Sequence, residues 1–167
     1  MIIRTLAILV QALLLYLMQT SVFTAFELAG VVPDLMIILV VAVAYMRGSN
    51  KGMLAGTVCG LLMDLTYGKV IGLFALMYMF IGFISGFAHK IYDESDYTIP
   101  VFLVGISEFL YNLFYYVFFY FLEGRLNVGY YIFRFMIPRV IYTVLVSLLL
   151  YRLLNLENIL FGRLDGE

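Results

Sequence analysis

Residues 33–73 read PDLMIILVVAVAYMRGSNKGMLAGTVCGLLMDLTYGKVIGL, and this stretch decides the fold. It is an apolar block that is broken at residues 47–51, where the letters RGSNK form a polar patch. Apolar runs on both sides of such a break favour two separate helices. We therefore predict helices over about 34–47 and 51–67, joined by a short polar hairpin.

The rest of the chain continues the apolar character of this block. Charged residues make up 13% of the sequence against 65% hydrophobic residues, and the mean hydropathy is +1.05. A window of about 19 residues finds clear spans near 5–26, 71–89, 98–122 and 130–154. No alternating pattern of barrel strands is present, and a backbone in lipid must satisfy its own hydrogen bonds. The sequence predicts an all-α, polytopic membrane protein, a single integral domain over 1–167 with six transmembrane helices.

The distribution of basic residues predicts the orientation. The first apolar run continues to about Phe26 without a small-residue cleavage site, so a retained helix is favoured over a signal peptide. With the N-terminus inside, the cytoplasmic ends carry six basic residues and the opposite side two, which favours cytoplasmic termini. The inner group is Arg4, Arg47, Lys51, Lys90, Arg152 and Arg163, and the outer group is Lys69 and Arg125.

Glycines at intervals of four are the strongest local pattern. Such spacing places residues on one helix face, and small residues let helices in lipid approach closely. An internal helix contact is the simpler interpretation, and a contact with a partner protein is the alternative. Gly68 and Gly72 bracket the following turn. The ladder itself consists of Gly48, Gly52, Gly56 and Gly60.

Charged and polar residues inside the spans are the second signal, because they are costly in lipid. Counted at about 1.5 Å per residue, four of them reach similar depths in the membrane. We expect one buried polar cluster, which either fixes the packing of the bundle or serves as an ion or proton relay. Arg134 either extends to the surface or reaches Asp34. The predicted cluster comprises Asp64, Glu108, Asn112 and Arg139.

We find none of the common catalytic or cofactor-binding motifs in the sequence. There is no Cys/His cluster, serine triad or phosphate-binding glycine loop, so we predict no enzyme, no cofactor and no metal. The net charge of −1 gives no reason to expect nucleic acid as a partner. The activity of the protein is therefore expected inside the bilayer or through a partner.

The order of the motifs in residues 33–73 resembles the rod shape-determining protein MreD family. Pro33-Asp34-Leu35 opens an apolar helix, and Arg47-Gly48 ends it. The glycine-spaced helix then leads into Leu61-Leu62-Met63-Asp64-Leu65, followed by Gly68 and Gly72-Leu73. The remainder of the chain is similar to the family in hydropathy, length and the six-span plan.

This resemblance implies a non-enzymatic inner-membrane subunit of the bacterial cell-elongation machinery. It would work beside an MreC-like bitopic protein, an MreB-like cytoskeletal protein and wall synthases. The Pro33-Asp34 entry and the glycine ladder would place the surfaces that contact a partner. The resemblance also implies a fold similar to the S-components of energy-coupling-factor vitamin transporters.

The rival hypothesis is an S-component that captures a small substrate in an outward-facing cavity lined by tyrosines, Asn112 and the buried charges. S-components dock on their transporter through alanines four apart in the first helix. Here Ala7 and Ala12 are five apart. This departure favours the scaffold, and copurified partners would separate the two hypotheses.

Overall fold

The computed structural model describes residues 2–27 and 30–164, and every regular element in those ranges is helical. This result confirms the all-α prediction, with six long helices in the described ranges. They are α1 (Ile2–Leu17), α2 (Leu35–Arg47), α3 (Ser49–Tyr67), α4 (Leu73–Ser85), α5 (Thr98–Tyr116) and α6 (Ile137–Leu164).

Four of these helices are extended by segments with other helical geometry. α1 and α5 continue into π-helical segments, α4 continues into a 3-10 segment, and α6 is preceded by a short helix and a π-helical segment. In chain order the extensions are Met18–Val22 (π), Phe23–Ala25 (α), Gly86–Ile91 (3-10), Val117–Phe121 (π), Val128–Tyr131 (α) and Ile132–Met136 (π).

The helices differ in whether they are long and apolar enough to cross a membrane. Four stretches of the described chain are long and apolar enough: Thr5–Val22, Leu73–Ile91, Thr98–Phe121 and Val128–Leu160. α2 is apolar but has 13 residues, which extend over about 20 Å. α3 has 19 residues, but its glycines and its polar start lower its hydropathy. Six crossings therefore remain a prediction for α2 and α3.

Helix α2 is the core of the bundle. All residues from Leu35 to Met46 are buried, which explains why the helix is apolar on every side. It contacts each of the other five helices or their extensions. Because other helices surround it, α2 does not need to match the thickness of the hydrocarbon layer.

A single glycine makes the turn between α2 and α3. Gly48 has φ +88°, and its N–H donates to the carbonyl oxygen of Ala44 at 2.8 Å. α3 then begins at Ser49, so Asn50 and Lys51 are helical rather than part of the predicted polar hairpin. The prediction missed this because polar residues at a helix start look like a loop in a hydropathy profile.

Close backbone packing joins α3 to the antiparallel α4. A Cβ atom on Gly52 would overlap Ala44 of α2 and the carbonyl oxygen of Gly82 in α4, and one on Gly56 would overlap the carbonyl oxygen of Tyr78. A Cβ atom on Gly60 would overlap the backbone of Ala75. Three of the four glycines in the ladder therefore lie inside the bundle, at the contact between helices.

Candidate functional site

The site begins at Asp34, the residue before α2. Its carboxylate oxygen Oδ1 accepts hydrogen bonds from the backbone N–H groups of Met36 and Ile37, both at 3.1 Å. Oδ2 accepts the hydroxyl hydrogen of Tyr78 at 2.7 Å. Asp34 is completely buried, and it caps the helix with a negative charge at the positive end of the helix dipole.

Arg139 joins Asp34 to a second buried carboxylate on α5. Its Nη2 donates to Asp34 Oδ2 at 3.3 Å, and its Nε lies 2.9 Å from Glu108 Oε1. Asn112 Nδ2 donates to the same Glu108 oxygen at 2.9 Å and to the Glu108 carbonyl oxygen at 2.7 Å. The structure thus brings Glu108, Asn112 and Arg139 together, with Asp34 as the fourth member. We call these four residues the charge cluster.

Neutral side chains accept further hydrogen bonds from backbone N–H groups at the start of α2. Thr143, one turn after Arg139 on α6, accepts the backbone N–H of Asp34 at 3.1 Å. Gln19 in the π segment of α1 accepts the N–H groups of Leu35 and Met36 through Oε1, at 3.0 and 3.3 Å. The first N–H groups of this buried helix, which have no partner within the helix, are therefore paired by side chains from three elements.

Asp64 does not belong to the charge cluster, so its predicted place there is wrong. It lies at the end of α3, and its carboxylate accepts hydrogen bonds from the backbone N–H groups of Gly72, Phe74 and Ala75, at 2.9 to 3.0 Å. Asp64 therefore caps the start of α4 across the turn. Depth along a helix could not reveal this, because it gives no information on the direction in which a side chain points.

The remaining predicted residues hold turns. Pro33 is buried directly before the Asp34 cap. Gly72, directly before α4, has φ +99°. This left-handed conformation is strained for residues that carry a side chain, so it favours glycine. A Cβ atom on Gly68 would press on the backbone of Asp64 at 2.9 Å from its Cα. Together with Gly48, these residues fix where the chain enters and leaves the glycine-packed pair.

A cavity of about 350 Å³ lies beside the charge cluster. Arg139, which is 24% exposed, and Asn112 contribute polar groups to its lining, as does Gln19. The guanidinium of Arg139 also lies 5.5 Å from the ring centre of Tyr111. Most of the remaining wall is aromatic, and we call this space the aromatic cavity. Its rings include Tyr67, Tyr111, Tyr115, Tyr120, Tyr131 and Phe74.

The opposite end of the bundle is closed by polar contacts between the 92–97 loop and α6. Asn155 accepts the hydroxyl hydrogen of Tyr92 at 3.0 Å and donates to the carbonyl oxygen of Glu94 at 2.8 Å. Hydrogen bonds from the backbone and hydroxyl of Ser95 hold the pKa of Asp93 below its usual value. α6 itself continues to Leu164, beyond the predicted end near 154.

A family model described as "rod shape-determining protein MreD" matches residues 1–156. The chain belongs to the MreD family. No curated protein and no solved structure matches the chain. The similarity to S-component folds therefore stays a prediction. Membership in the MreD family places the chain in rod-shape determination.

The family match gives the motif-bearing segment a structural meaning. Residues 33–73, which carry the motifs that resemble the MreD family, form the buried helix α2, its glycine-packed neighbour α3 and the Asp64 cap of α4. Within residues 2–27 and 30–164, no group of three His, Cys, Asp or Glu side chains is placed to hold a metal ion. The charge cluster is an arrangement of paired charges and hydrogen bonds.

Three cluster neighbours escaped the sequence analysis. Gln19 and Thr143 are polar residues in apolar helices. Their polarity in such a position was the signal that could have identified them. Tyr78 could not be singled out, because the chain has 14 tyrosines and only the fold brings this one to Asp34. Asp34 was identified as a helix start and as a candidate partner of Arg134, whereas the structure pairs it with Arg139.

Proposed function

We propose that the protein is a non-enzymatic scaffold subunit of the bacterial cell-elongation complex in the inner membrane. It binds an MreC-like bitopic protein and links it, directly or through other subunits, to wall synthases and an MreB-like cytoskeletal protein. The observation that carries this proposal is the family match over residues 1–156. The small size of the connections supports it, because partners would then meet helix faces and short loops.

The positions of the basic residues support an orientation with both termini in the cytoplasm and six crossings. Gly48 packs near His89, and Arg47 donates to Asn158 at 3.2 Å, so the α2–α3 turn and the end of α6 share one end of the bundle. Lys69 pairs with Glu123 at 3.2 Å at the other end. Most basic residues therefore gather at one end, as expected for the cytoplasmic side.

The exposed surface also supports a membrane scaffold. Large apolar side chains cover the outside of α1, α5 and α6, where a soluble protein would carry polar groups. Such faces are in contact with lipid or with helices of other membrane proteins. Examples are Leu6, Leu13, Phe102, Phe109, Leu145 and Leu149.

Copurification from solubilised membranes tests this proposal. We expect the tagged protein to bring down an MreC-like protein and wall synthases, and an unrelated multi-span protein with the same tag to bring down neither. A Gly162→Ala variant should retain these partners, because a Cβ atom at Gly162 meets no other group. Recovery of an ATPase module together with a bound vitamin would contradict the scaffold and favour an S-component.

A further inference from the structure

We propose that the aromatic cavity binds an uncharged, ring-shaped molecule rich in hydroxyl or amide groups, such as a sugar. The cavity volume of about 350 Å³ is within the range of small-molecule sites, roughly 300–1,000 Å³. This proposal does not depend on the scaffold function, since it concerns a site inside the chain itself.

The first argument is that all three π-helical segments of the described chain contribute to this one cavity. Gln19 lies in the π segment of α1, Tyr120 in that of α5 and Phe135 in the one before α6, and each lines the cavity. A π turn interrupts the regular hydrogen bonding of an α-helix and is frequently found at functional sites. Three such turns on separate helices would be unexpected around a space that serves only packing.

The second argument is the number of free hydroxyl groups. Five tyrosines line the cavity, and none of their hydroxyl groups has a hydrogen-bond partner among the described residues. The amide nitrogen of Gln19 has only the sulfur of Met63 as a neighbour, at 4.0 Å, while its oxygen is fully used. These groups are available to form hydrogen bonds with a ligand that has many polar atoms.

The third argument concerns ring stacking. The ring centres of Tyr120 and Tyr131 lie 5.2 Å apart, and Phe74 stacks with Tyr115 at 6.1 Å. These side chains form a nearly continuous aromatic wall with hydroxyl groups at the ring edges. A flat molecule with an apolar face and a polar rim is complementary to such a wall.

Charge decides between ligand classes. Arg139 faces the carboxylates of Asp34 and Glu108, so it offers no uncompensated positive charge to an anion. The other charged residue in the lining, Glu27, is negative and would repel an anion. These charges argue against an anionic ligand. An uncharged ligand with several hydrogen-bonding groups fits these conditions.

The binding test uses the full chain in lipid nanodiscs with 4-methylumbelliferyl β-D-glucoside as the probe. Isothermal titration calorimetry, with protein-free nanodiscs as the blank, measures binding by the wild type and by each variant. We expect saturable binding that becomes about tenfold weaker in the Tyr120→Phe/Tyr131→Phe variant, which keeps both rings and loses two hydroxyl groups. Tyr130→Phe, an exposed neighbour outside the cavity lining, should bind like the wild type.

Two further measurements complete the test. A Thr24→Trp variant places a large side chain in the cavity lining at an exposed position and should abolish binding. The same fluorophore as its phosphate should bind at least tenfold more weakly than the glucoside. No saturable binding, equal loss in Tyr130→Phe, or a phosphate that binds as well as the glucoside would each overturn the proposal.

Discussion

Replacing Arg139 with methionine should lower the free energy of unfolding by about 3–5 kcal/mol. The substitution keeps an apolar side chain of similar length but leaves Asp34 and Glu108 without their cationic partner. Asp34 retains Tyr78 and two backbone N–H groups, whereas Glu108 retains only Asn112. Glu108 is completely buried, so the loss should come mainly from this carboxylate. Denaturant titration of the purified protein in detergent measures the change.

Two variants serve as controls for Arg139→Met. Lys69→Met breaks the exposed Lys69–Glu123 pair and should cost less than about 1 kcal/mol. The triple variant Asp34→Asn/Glu108→Gln/Arg139→Met removes all three charges and should recover most of the lost stability. If Arg139→Met were as stable as Lys69→Met, the result would contradict a packing role for the charge cluster. If that stable variant also failed to support rod shape, the relay hypothesis would be favoured.

Adding one methyl group at Gly56 should cost about 3 kcal/mol, although alanine is the better helix former. Its Cβ atom would overlap the carbonyl oxygen of Tyr78 and lie 3.0 Å from the Cα of Met79, and both are backbone atoms. Flexible side chains could move aside, but here α3 and α4 must separate along their whole contact. The same unfolding titration with Gly56→Ala measures this effect.

Gly162→Ala is the matched control, since a Cβ atom at this helical position meets nothing within 4 Å. It should leave stability unchanged or raise it slightly, because alanine stabilises a helix relative to glycine. If Gly56→Ala were as stable as Gly162→Ala, the close α3–α4 contact would be incorrect. The glycine ladder would then be open to a partner, as the alternative interpretation of the sequence holds.

Part of this fold could be predicted because its signals are local. Their spacing of four placed Gly52, Gly56 and Gly60 on one helix face. Their close packing could then be predicted because helices in lipid approach each other through small residues. Apolar runs revealed the helices in the same way. The turn at Gly48 was misplaced by a few residues because polarity at a helix start and polarity in a loop look alike.

The composition of the charge cluster could be predicted only in part. Glu108, Asn112 and Arg139 are unusual in apolar helices and were identified on that basis. Depth along the helix placed Asp64 with them and left Asp34 out, because it contains no information on rotation about the helix axis. The aromatic cavity had no distinct signal, since its tyrosines come from three helices or their extensions and π turns leave no clear pattern in the sequence.

The most direct test of the proposed membrane architecture is cysteine labelling with a membrane-impermeant reagent in spheroplasts. The native Cys59 is fully buried, so it should not react. With six crossings and cytoplasmic termini, Lys69→Cys and Arg125→Cys should be labelled from outside, whereas Asn50→Cys and Glu94→Cys should react only after permeabilisation. Labelling of Asn50→Cys in intact spheroplasts, or protection of Lys69→Cys, would contradict α2 and α3 as membrane-crossing helices.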